Sequence, residues 1–587
     1  MTTTPALYRD ERLPVEERVE DLLARMTIQE KAGLLFHTSI LPGDLDAPNA
    51  NFGSATAGHL IGTAHVSHFN AVGPIENARE FAEFHNRLQE CALRTRLGIP
   101  VTLSTDPRSH FTDNPGTAAR AGAFSQWPEP LGLAAIGSAD VVEQFADAVR
   151  QEYLAVGIRV ALHPQIDLAT EPRWSRIAGT FGEDAELTSR LVAAYIRGFQ
   201  GTSMGAASVS TMAKHFPGGG PQQDGEDPHF DYGREQTYVG GQFDYHLGPF
   251  RAAIAAGVRQ LMPSYGMPVG TGLEPVAFGF NKRVITELLR EELGFDGIVC
   301  TDWGLVTDVT VRGQFMPARA WGVEHLDILS RVEAIILAGC DQLGGEACPE
   351  LVVQLVDSGR VKEERLDTSA RRLLREKFVL GLFDQPFVDP DAAAARVGRA
   401  DFVAAGRRAQ RRAVILLTDH ADVLPIRPPV RVYAEGIDRT ALTARATVVD
   451  DLAKADLALL RVTAPHESRP GGFEAMLHAG SLAFSEAEHG RVLGICATVP
   501  TVVGIHLERP AVLPEIADAA AALLADFGAD DEAFLDVVFG VSRPEGRLPF
   551  DLPRSMNAVE TSPSDAPFAT ADPVFRFGHG LRYPPER

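Results

Sequence analysis

Five cysteines in 587 residues (Cys91, Cys300, Cys340, Cys348 and Cys496), with no Cys-x-x-Cys pair, are too few and too scattered for a disulfide framework or a zinc ribbon. They read as small buried apolar residues. No apolar run approaches the ~20 residues needed to span a bilayer. The opening MTTTPALYRDERLP also lacks the basic patch and apolar stretch of a secretory leader, so a cytoplasmic protein is expected. Positive charge is in short supply: 55 Lys and Arg stand against 78 Asp and Glu, a net charge of −23 that repels phosphate backbones and anionic lipid surfaces. Neither nucleic acid nor membrane is an expected partner. No HExxH motif or His-carboxylate cluster with ligand spacing occurs, so no metal and no cofactor are expected.

What the chain does hold is 45% hydrophobic and 23% charged residues, enough to bury large cores. Its length exceeds one ordinary domain and accommodates a barrel of about 250 residues with insertions plus a second unit. Apolar residues at 15, 19, 22, 23 and 26 mark a helix over Val15–Met26, and Thr27-Ile-Gln-Glu30 has capping-box spacing for the next one. Asp44–Gly58, rich in Asn, Gly, Ala and Pro, reads as loop.

Beyond it, short apolar runs suited to buried parallel strands (Leu60–Ala64, Val101–Ser104, Ile158–Leu162, Ser208–Ala213, Arg259–Met262, Ile298–Cys300) alternate with helical stripes. Those stripes include Val141–Tyr153, Leu187–Phe199 and Arg283–Leu293, and Leu351–Val379 reads as the helix that closes the set. The alternation predicts a (β/α)8-type TIM barrel with its functional face at the C-terminal ends of the strands. Residues 384–400, with two prolines and an alanine run, read as the handover between units, giving a barrel over 1–385, a linker over 386–400 and a second domain over 401–587. Strand candidates Val414–Leu417, Val430–Tyr433, Leu457–Val462 and Thr501–Ile505 make that second unit an α/β sandwich, and the Pro- and Gly-rich tail from Arg543 is expected to be irregular but packed.

Phe295–Gly304, FDGIVCTDWG, concentrates the chemistry: a short buried strand stops at Asp302, beside Trp303. A carboxylate at a barrel strand's C-terminal end, next to an indole, suits a nucleophile with a wall for a sugar ring. An isolated strand-end Asp is more often a helix cap, so its neighbours decide. Asp106 ends VTLSTD, Lys214-His215 ends TMAKH, Tyr265 ends MPSY, and Arg173 and Arg176 sit in PRWSR. A carboxylate, cations, a His and aromatics on one face suit a neutral polyhydroxylated ligand, which charge-assisted hydrogen bonds and ring stacking recognise.

TMAKHFPGGGP, DPRWSRIAGTFGED-like EPRWSRIAGTFGED, FDGIVCTDWG and FRFGHGLRY together resemble glycoside hydrolase family three, the β-glucosidase and β-glucan exohydrolase group, over most of the chain and in the same order. The resemblance implies a retaining exo-acting β-glycosidase, a β-glucosidase removing terminal non-reducing β-D-glucosyl residues from a small carbohydrate through a covalent glycosyl-aspartate. Asp302 would be the nucleophile, with Asp106, Arg176, Lys214 and His215 binding sugar hydroxyls and Tyr265 and Trp303 beside the nucleophile. The acid/base would come from the second domain, where Pro465-His466-Glu467 matches best, one residue short; Glu474 is the reserve. β-Xylosidase, β-N-acetylglucosaminidase and a non-catalytic carbohydrate-binding protein are the alternatives. The acetylglucosaminidases use an Asp-Ser-His dyad in the barrel; here Asp227-Pro228-His229 lies in that loop, two residues too far on and with Pro in place of Ser. Gly201-Thr-Ser203-Met-Gly205 fits the serine-hydrolase elbow, but a helical stretch precedes it and a strand follows, the reverse of what an elbow needs.

Overall fold

The computed structural model describes residues 6–48, 55–114, 116–311, 313–420 and 422–583. Eight parallel strands form the first sheet: β1 (Phe36–Ile40), β2 (His68–Ala71), β3 (Thr102–Thr105), β4 (Ile158–Ala161), β5 (Ser210–Phe216), β6 (Gln260–Pro263), β7 (Ile298–Val299) and β8 (Leu343–Gly344). Each pairs with the next, β8 pairs with β1, and a parallel bridge between Cys300 and Gln342 joins β7 to β8. The sheet is therefore a closed barrel, which leaves no edge and brings every strand's C-terminal end to one rim.

Helices cover the outside. Ala139–Ala155 and Ala185–Gln200 are capped by Ser138 and Asp184, whose side chains accept the Val141 and Leu187 backbone N–H groups. Each such cap is worth about 1 kcal/mol. The two helices pack closely because position 198 is glycine: a Cβ there would lie 2.4 Å from that of Ala146. Thr27 and Glu30 form the expected capping box at the start of Ile28–Leu34. The stripe at Arg283–Glu292 is helical but π-wound, with the Leu293 N–H reaching Leu288 O.

Several expectations need correction. Leu60–Ala64 is not a strand; Ala57–Gly62 is a helix capped by Thr56, since a short apolar run does not separate a buried strand from a buried helix turn. The true first strands, FHTSI and HFNA, carry His37, Ser39, His68 and Asn70, all buried, and these polar residues hide the apolar signature. β8 is only two residues long. Leu351–Val379 is two helices, Pro349–Asp357 and Glu363–Val379. Residues 49–54 of the loop expected over Asp44–Gly58 lie outside the described residues.

Residues 384–400 are fastened to the barrel: Asn86 exchanges hydrogen bonds with both the N–H and the carbonyl of Val388, and Asp389 caps a helix at Pro390–Arg396. The second sheet contains β9 (Ile415–Asp419), β10 (Arg431–Glu435), β11 (Thr447–Val448), β12 (Leu457–Thr463), β13 (Thr501–His506) and β14 (Ala522–Asp526), in the order β9-β14-β13-β12-β10-β11. Only β9 runs antiparallel to its neighbour. Apolar clusters line both faces, as expected of a sheet between helical layers. Of these strands the sequence pattern missed β14 and the short β11.

The tail is irregular and packed, with Leu548, Phe550 and Leu552 buried, and it straps the two domains together. Asp565 accepts the Gly240 and Gln242 N–H groups of the barrel, and the Glu183 carboxylate accepts those of Asp551 and Phe568. Burial pushes the Glu183 carboxyl from 4.5 up to about 8, against the pull of those two N–H groups. A folded value above the unfolded one means that the native state holds an extra proton in this window. The stability contribution is complete below about pH 4.5 and is lost as pH rises through about 8. Urea unfolding should therefore show the wild-type midpoint falling between pH 5.5 and 9 more steeply than that of Glu183→Gln, which has no proton to lose. Equal slopes would show that Glu183 is already ionised in the folded protein.

Candidate active site

The rim of the barrel opens into a cavity of about 270 Å³ lined by Asn70, Asp106, Arg176, Lys214, His215, His229, Tyr265, Asp302, Trp303, Arg319, Glu346 and, from the second domain, Phe473, among others. Six residues expected to bind ligand (Asp106, Arg176, Lys214, His215, Tyr265 and Trp303) thus meet around Asp302. Barrel closure does this: they are contributed by β3, the loop after β4, β5, and the segments following β6 and β7.

Asp302 is 8% exposed. Its Oδ1 accepts the Trp303 N–H at 2.8 Å, which fixes the carboxylate plane, while its buried Oδ2 has no hydrogen-bond partner among the described residues and lies 3.7 Å from His215 Nε2. Trp303 is held by its indole N–H, which donates to Ser39 Oγ at 3.1 Å, and by the backbone of Gly345. That glycine has φ +73°, and a Cβ on it would come within 2.7 Å of the indole, so both its conformation and its missing side chain seat the ring. The Tyr265 hydroxyl donates to Trp303 O at 2.6 Å. Burial, and then the charge of Asp302, keep that phenol protonated far above its ordinary range.

Opposite lies a second polar group. Lys214 Nζ is 2.9 Å from Asp106 Oδ1, and Asn70 Nδ2 donates to Asp106 Oδ2 at 3.1 Å, leaving Asn70 Oδ1 buried and without a partner among the described residues. His215 Nδ1 donates to Asp167 Oδ2 at 2.7 Å, so its Nε2 is the acceptor for Arg176 Nη1 at 3.1 Å. Burial, followed by the Arg176 charge, lowers the His215 pKa and keeps the ring neutral. Arg176 Nε is also buried without a partner among the described residues. Unpaired buried polar atoms each cost about 1–3 kcal/mol, and here they belong to residues that line one cavity. A ligand bearing several hydroxyls suits a cavity walled by so many donors and acceptors.

The expected acid/base residue does not reach this wall. Glu467 is exposed, and its Oε1 accepts the Ser481 N–H at 3.2 Å beside Gly480, outside the cavity. The reason is an excursion of the chain between Pro465 and Ser481 that turns the residues after Glu467, not Glu467 itself, toward the barrel. Phe473 enters the cavity, its ring 5.2 Å from that of His229, and the neighbouring Glu474 accepts the Tyr232 hydroxyl. His229 does line the cavity, with Nδ1 2.6 Å from Asp227 Oδ1 and its ring 4.7 Å from Tyr265. Burial opposes ionisation of Asp227, but His229 holds its carboxyl below the usual range. The dyad dismissed on spacing is formed in space.

Sequence reasoning missed Asn70 and Asp167. Asn70 was hidden because β2 was not recognised as a strand, and Asp167 sits beyond the end of β4 with no local motif. Arg319 and Glu346 come from loops whose paths no periodicity reveals. Arg173, read alongside Arg176, pairs instead with Glu171 at 2.8 Å. Ser203 is exposed between a helix and β5, not on an elbow. No group of three or more His, Cys, Asp or Glu side chains is arranged to hold a metal among the described residues.

Residues 30–376 match the glycosyl hydrolase family 3 N terminal domain and residues 253–583 match the family's C-terminal domain. The chain is 58% identical over 582 residues to a probable beta-glucosidase C of Aspergillus flavus, covering 98% of this chain and 92% of that protein. It is 40% identical to a periplasmic beta-glucosidase/beta-xylosidase of Dickeya chrysanthemi, over 98% of this chain and 91% of that one. Among solved structures, a β-glucosidase from Erythrobacter marinus superposes with a TM-score of 0.80 at 22% identity, over 98% of this chain and 84% of that chain.

The Asp167 contact fixes which nitrogen of His215 carries the proton, and this is measurable without substrate. The ¹⁵N shifts assigned to His215 should show a neutral, Nδ1-protonated ring that does not titrate between about pH 6.5 and 8, and in Asp167→Asn that tautomer preference should be lost. A wild-type His215 that charges above pH 6.5 would contradict this geometry.

Proposed function

The chain belongs to glycosyl hydrolase family 3, and from that premise we propose that it is an exo-acting β-glucosidase working by retention through Asp302. One observation carries the reading: Asp302, whose buried Oδ2 has no hydrogen-bond partner among the described residues, lines the same cavity as Asp106, Lys214, His215 and Arg176. A cavity of about 270 Å³ at the barrel mouth suits a single terminal sugar rather than a long stretch of polymer. A neutral glucosyl unit supplies the hydroxyls that Asp106, Lys214, His215 and Arg176 are placed to bind.

In the first step Asp302 Oδ2 bonds to the anomeric carbon as the glycosidic C–O bond breaks and the leaving oxygen takes a proton. In the second, water loses a proton to the same group and displaces the aspartate, releasing glucose with its configuration kept. Ordered donors around the sugar stabilise the oxocarbenium-like transition state more than the ground state. For the proton donor, the geometry favours His229. It lines the cavity, Asp227 orients it through Nδ1, and its Nε2 has no partner among the described residues. A second reading assigns the role to Glu474, because Phe473, next to it, enters the same wall. The dual name of the Dickeya relative makes β-xylosidase a second activity to test, since xylose lacks only the hydroxymethyl group.

Asp302→Ala should lower turnover of 4-nitrophenyl β-glucoside by roughly four orders of magnitude or more, and a 2-deoxy-2-fluoro glucoside should label Asp302 in the wild type. Near-normal rates, or label on another residue, would overturn the assignment. A general acid is worth about 10²–10⁴-fold, most for poor leaving groups. His229→Ala should therefore cripple hydrolysis of alkyl glucosides while sparing dinitrophenyl glucoside, and Glu467→Ala should behave like wild type. If Glu474→Ala shows that split and His229→Ala does not, the second reading replaces the first.

A further inference from the structure

Arg509 is a large buried cation that no part of this chemistry uses. It is 1% exposed, and no carboxylate is hydrogen-bonded to it among the described residues. Its guanidinium instead donates to five carbonyls: Arg173 O at 2.7 Å and Gly480 O at 2.9 Å from Nη1, and Pro465 O at 2.7 Å, Ala479 O at 3.0 Å and Ser481 O at 3.1 Å from Nη2. Burial draws its pKa down to about 10, so it is charged at neutral pH. Its Nε is buried without a hydrogen-bond partner among the described residues, so the two Nη groups make all its hydrogen bonds and hold the backbone that supplies the carbonyls.

Four of those carbonyls belong to the two stems of one second-domain loop, 465–481, and the fifth belongs to the barrel loop, three residues before Arg176. The span between the stems reaches the barrel mouth at several points. Asn114 Nδ2 donates to Met476 O at 3.1 Å, Gln314 Oε1 accepts the Phe473 N–H at 2.9 Å, and Arg469 meets Glu226 at 2.8 Å. Phe473 joins Phe230, Val311, Met316 and Leu477 in an apolar cluster, and it lies so close to Gly116 that a Cβ there would come within 2.3 Å of its ring. Phe473 and Val311 both line the cavity.

We infer that Arg509 is a positioning residue: it clamps the stems of loop 465–481 to the barrel loop carrying Arg176, and so places Phe473 as the apolar wall for the leaving group. The inference deepens the β-glucosidase reading, because its substrate consequence is selectivity for the aglycone. It implies that the wall recognises aryl and alkyl groups, while recognition of glucose itself is independent of the clamp.

Two arms test it, using Arg509→Met and the charge-keeping Arg509→Lys in the full chain. In the first arm, hydrogen exchange followed by mass spectrometry should show amides of 465–481 exchanging about 10-fold faster in Arg509→Met, with a smaller change in Arg509→Lys and none in β1–β8. Unchanged loop exchange, or loss of protection throughout the second domain in both variants, would overturn the inference. In the second arm, Arg509→Met and Phe473→Ala should each raise KM for 4-nitrophenyl β-glucoside, the double variant should add little, and inhibition by free glucose should stay within about twofold of wild type. Additive effects, or a parallel loss of glucose binding, would overturn it too; should Arg509→Met fail to fold, Arg509→Lys decides. A wild-type protein that cleaves no β-glucoside would sink the functional reading alone, and the exchange arm would still decide the role of Arg509.

Discussion

A single buried carboxylate organises the catalytic rim. Asp167 is inaccessible to solvent, and it accepts the ring N–H of His215, the backbone N–H of His215 and the backbone N–H of Gly219. Burial disfavours its charge, but those three donors and the polarity of His215 hold its pKa below the ordinary value. The ionised group then fixes two things at once. It sets the tautomer of His215, which turns Nε2 toward Arg176, and it shapes the glycine-rich turn after β5, where a Cβ at Gly219 would sit only 3.0 Å from the carboxylate. Two of the three donors are backbone groups, so replacing the His215 ring would leave them alone to hold a buried charge.

Around this fixed point the protein tolerates polar atoms that are left wanting. Asp302 Oδ2, Asn70 Oδ1, Arg176 Nε and Arg319 Nε are buried without hydrogen-bond partners among the described residues, although buried polar atoms in folded proteins are mostly paired. These four belong to residues lining one cavity. Holding such atoms in place without partners is a form of preorganisation, in which polar groups around the cavity are fixed before a ligand arrives. The pairs that are satisfied, Lys214 with Asp106 and Tyr265 with Trp303 O, restrain the residues that must not move.

How much of this was legible in the sequence follows from where each residue sits. Asp106, Lys214, His215 and Asp302 could be read because each closes an apolar run, and a strand end in a barrel is a known address on the rim. Asn70 could not, because its strand buries His68 and Asn70 among only four residues and presents no apolar run at all. The same polarity that makes the interior of the barrel functional erases the periodicity that announces a strand. Glu467 failed for a different reason. A motif match fixes position along the chain, but the path between Pro465 and Ser481 is set by contacts with Arg509 and the barrel, which are remote in sequence. The Asp227–His229 contact was discounted on spacing for the complementary reason: two residues of displacement along a loop need not displace a side chain in space.

The site is therefore built in two grades of rigidity. Its inner half hangs on barrel strands locked by a closed ladder, and single-residue changes there meet a dense, cooperative network. Its outer half is made from three loop segments, around 227–232, 309–316 and 465–481, which meet in a small apolar cluster separate from the main barrel core. Partly exposed ion pairs such as Arg469–Glu226 add only about 0–1 kcal/mol to such a junction, so its geometry depends on Phe473 packing and on the backbone held by Arg509. A few changes in those loops would alter what leaves the sugar without disturbing how the sugar is held. That division explains how one barrel can keep its chemistry while its selectivity is set by a neighbouring domain that contributes, among the described residues, Phe473 to the cavity wall.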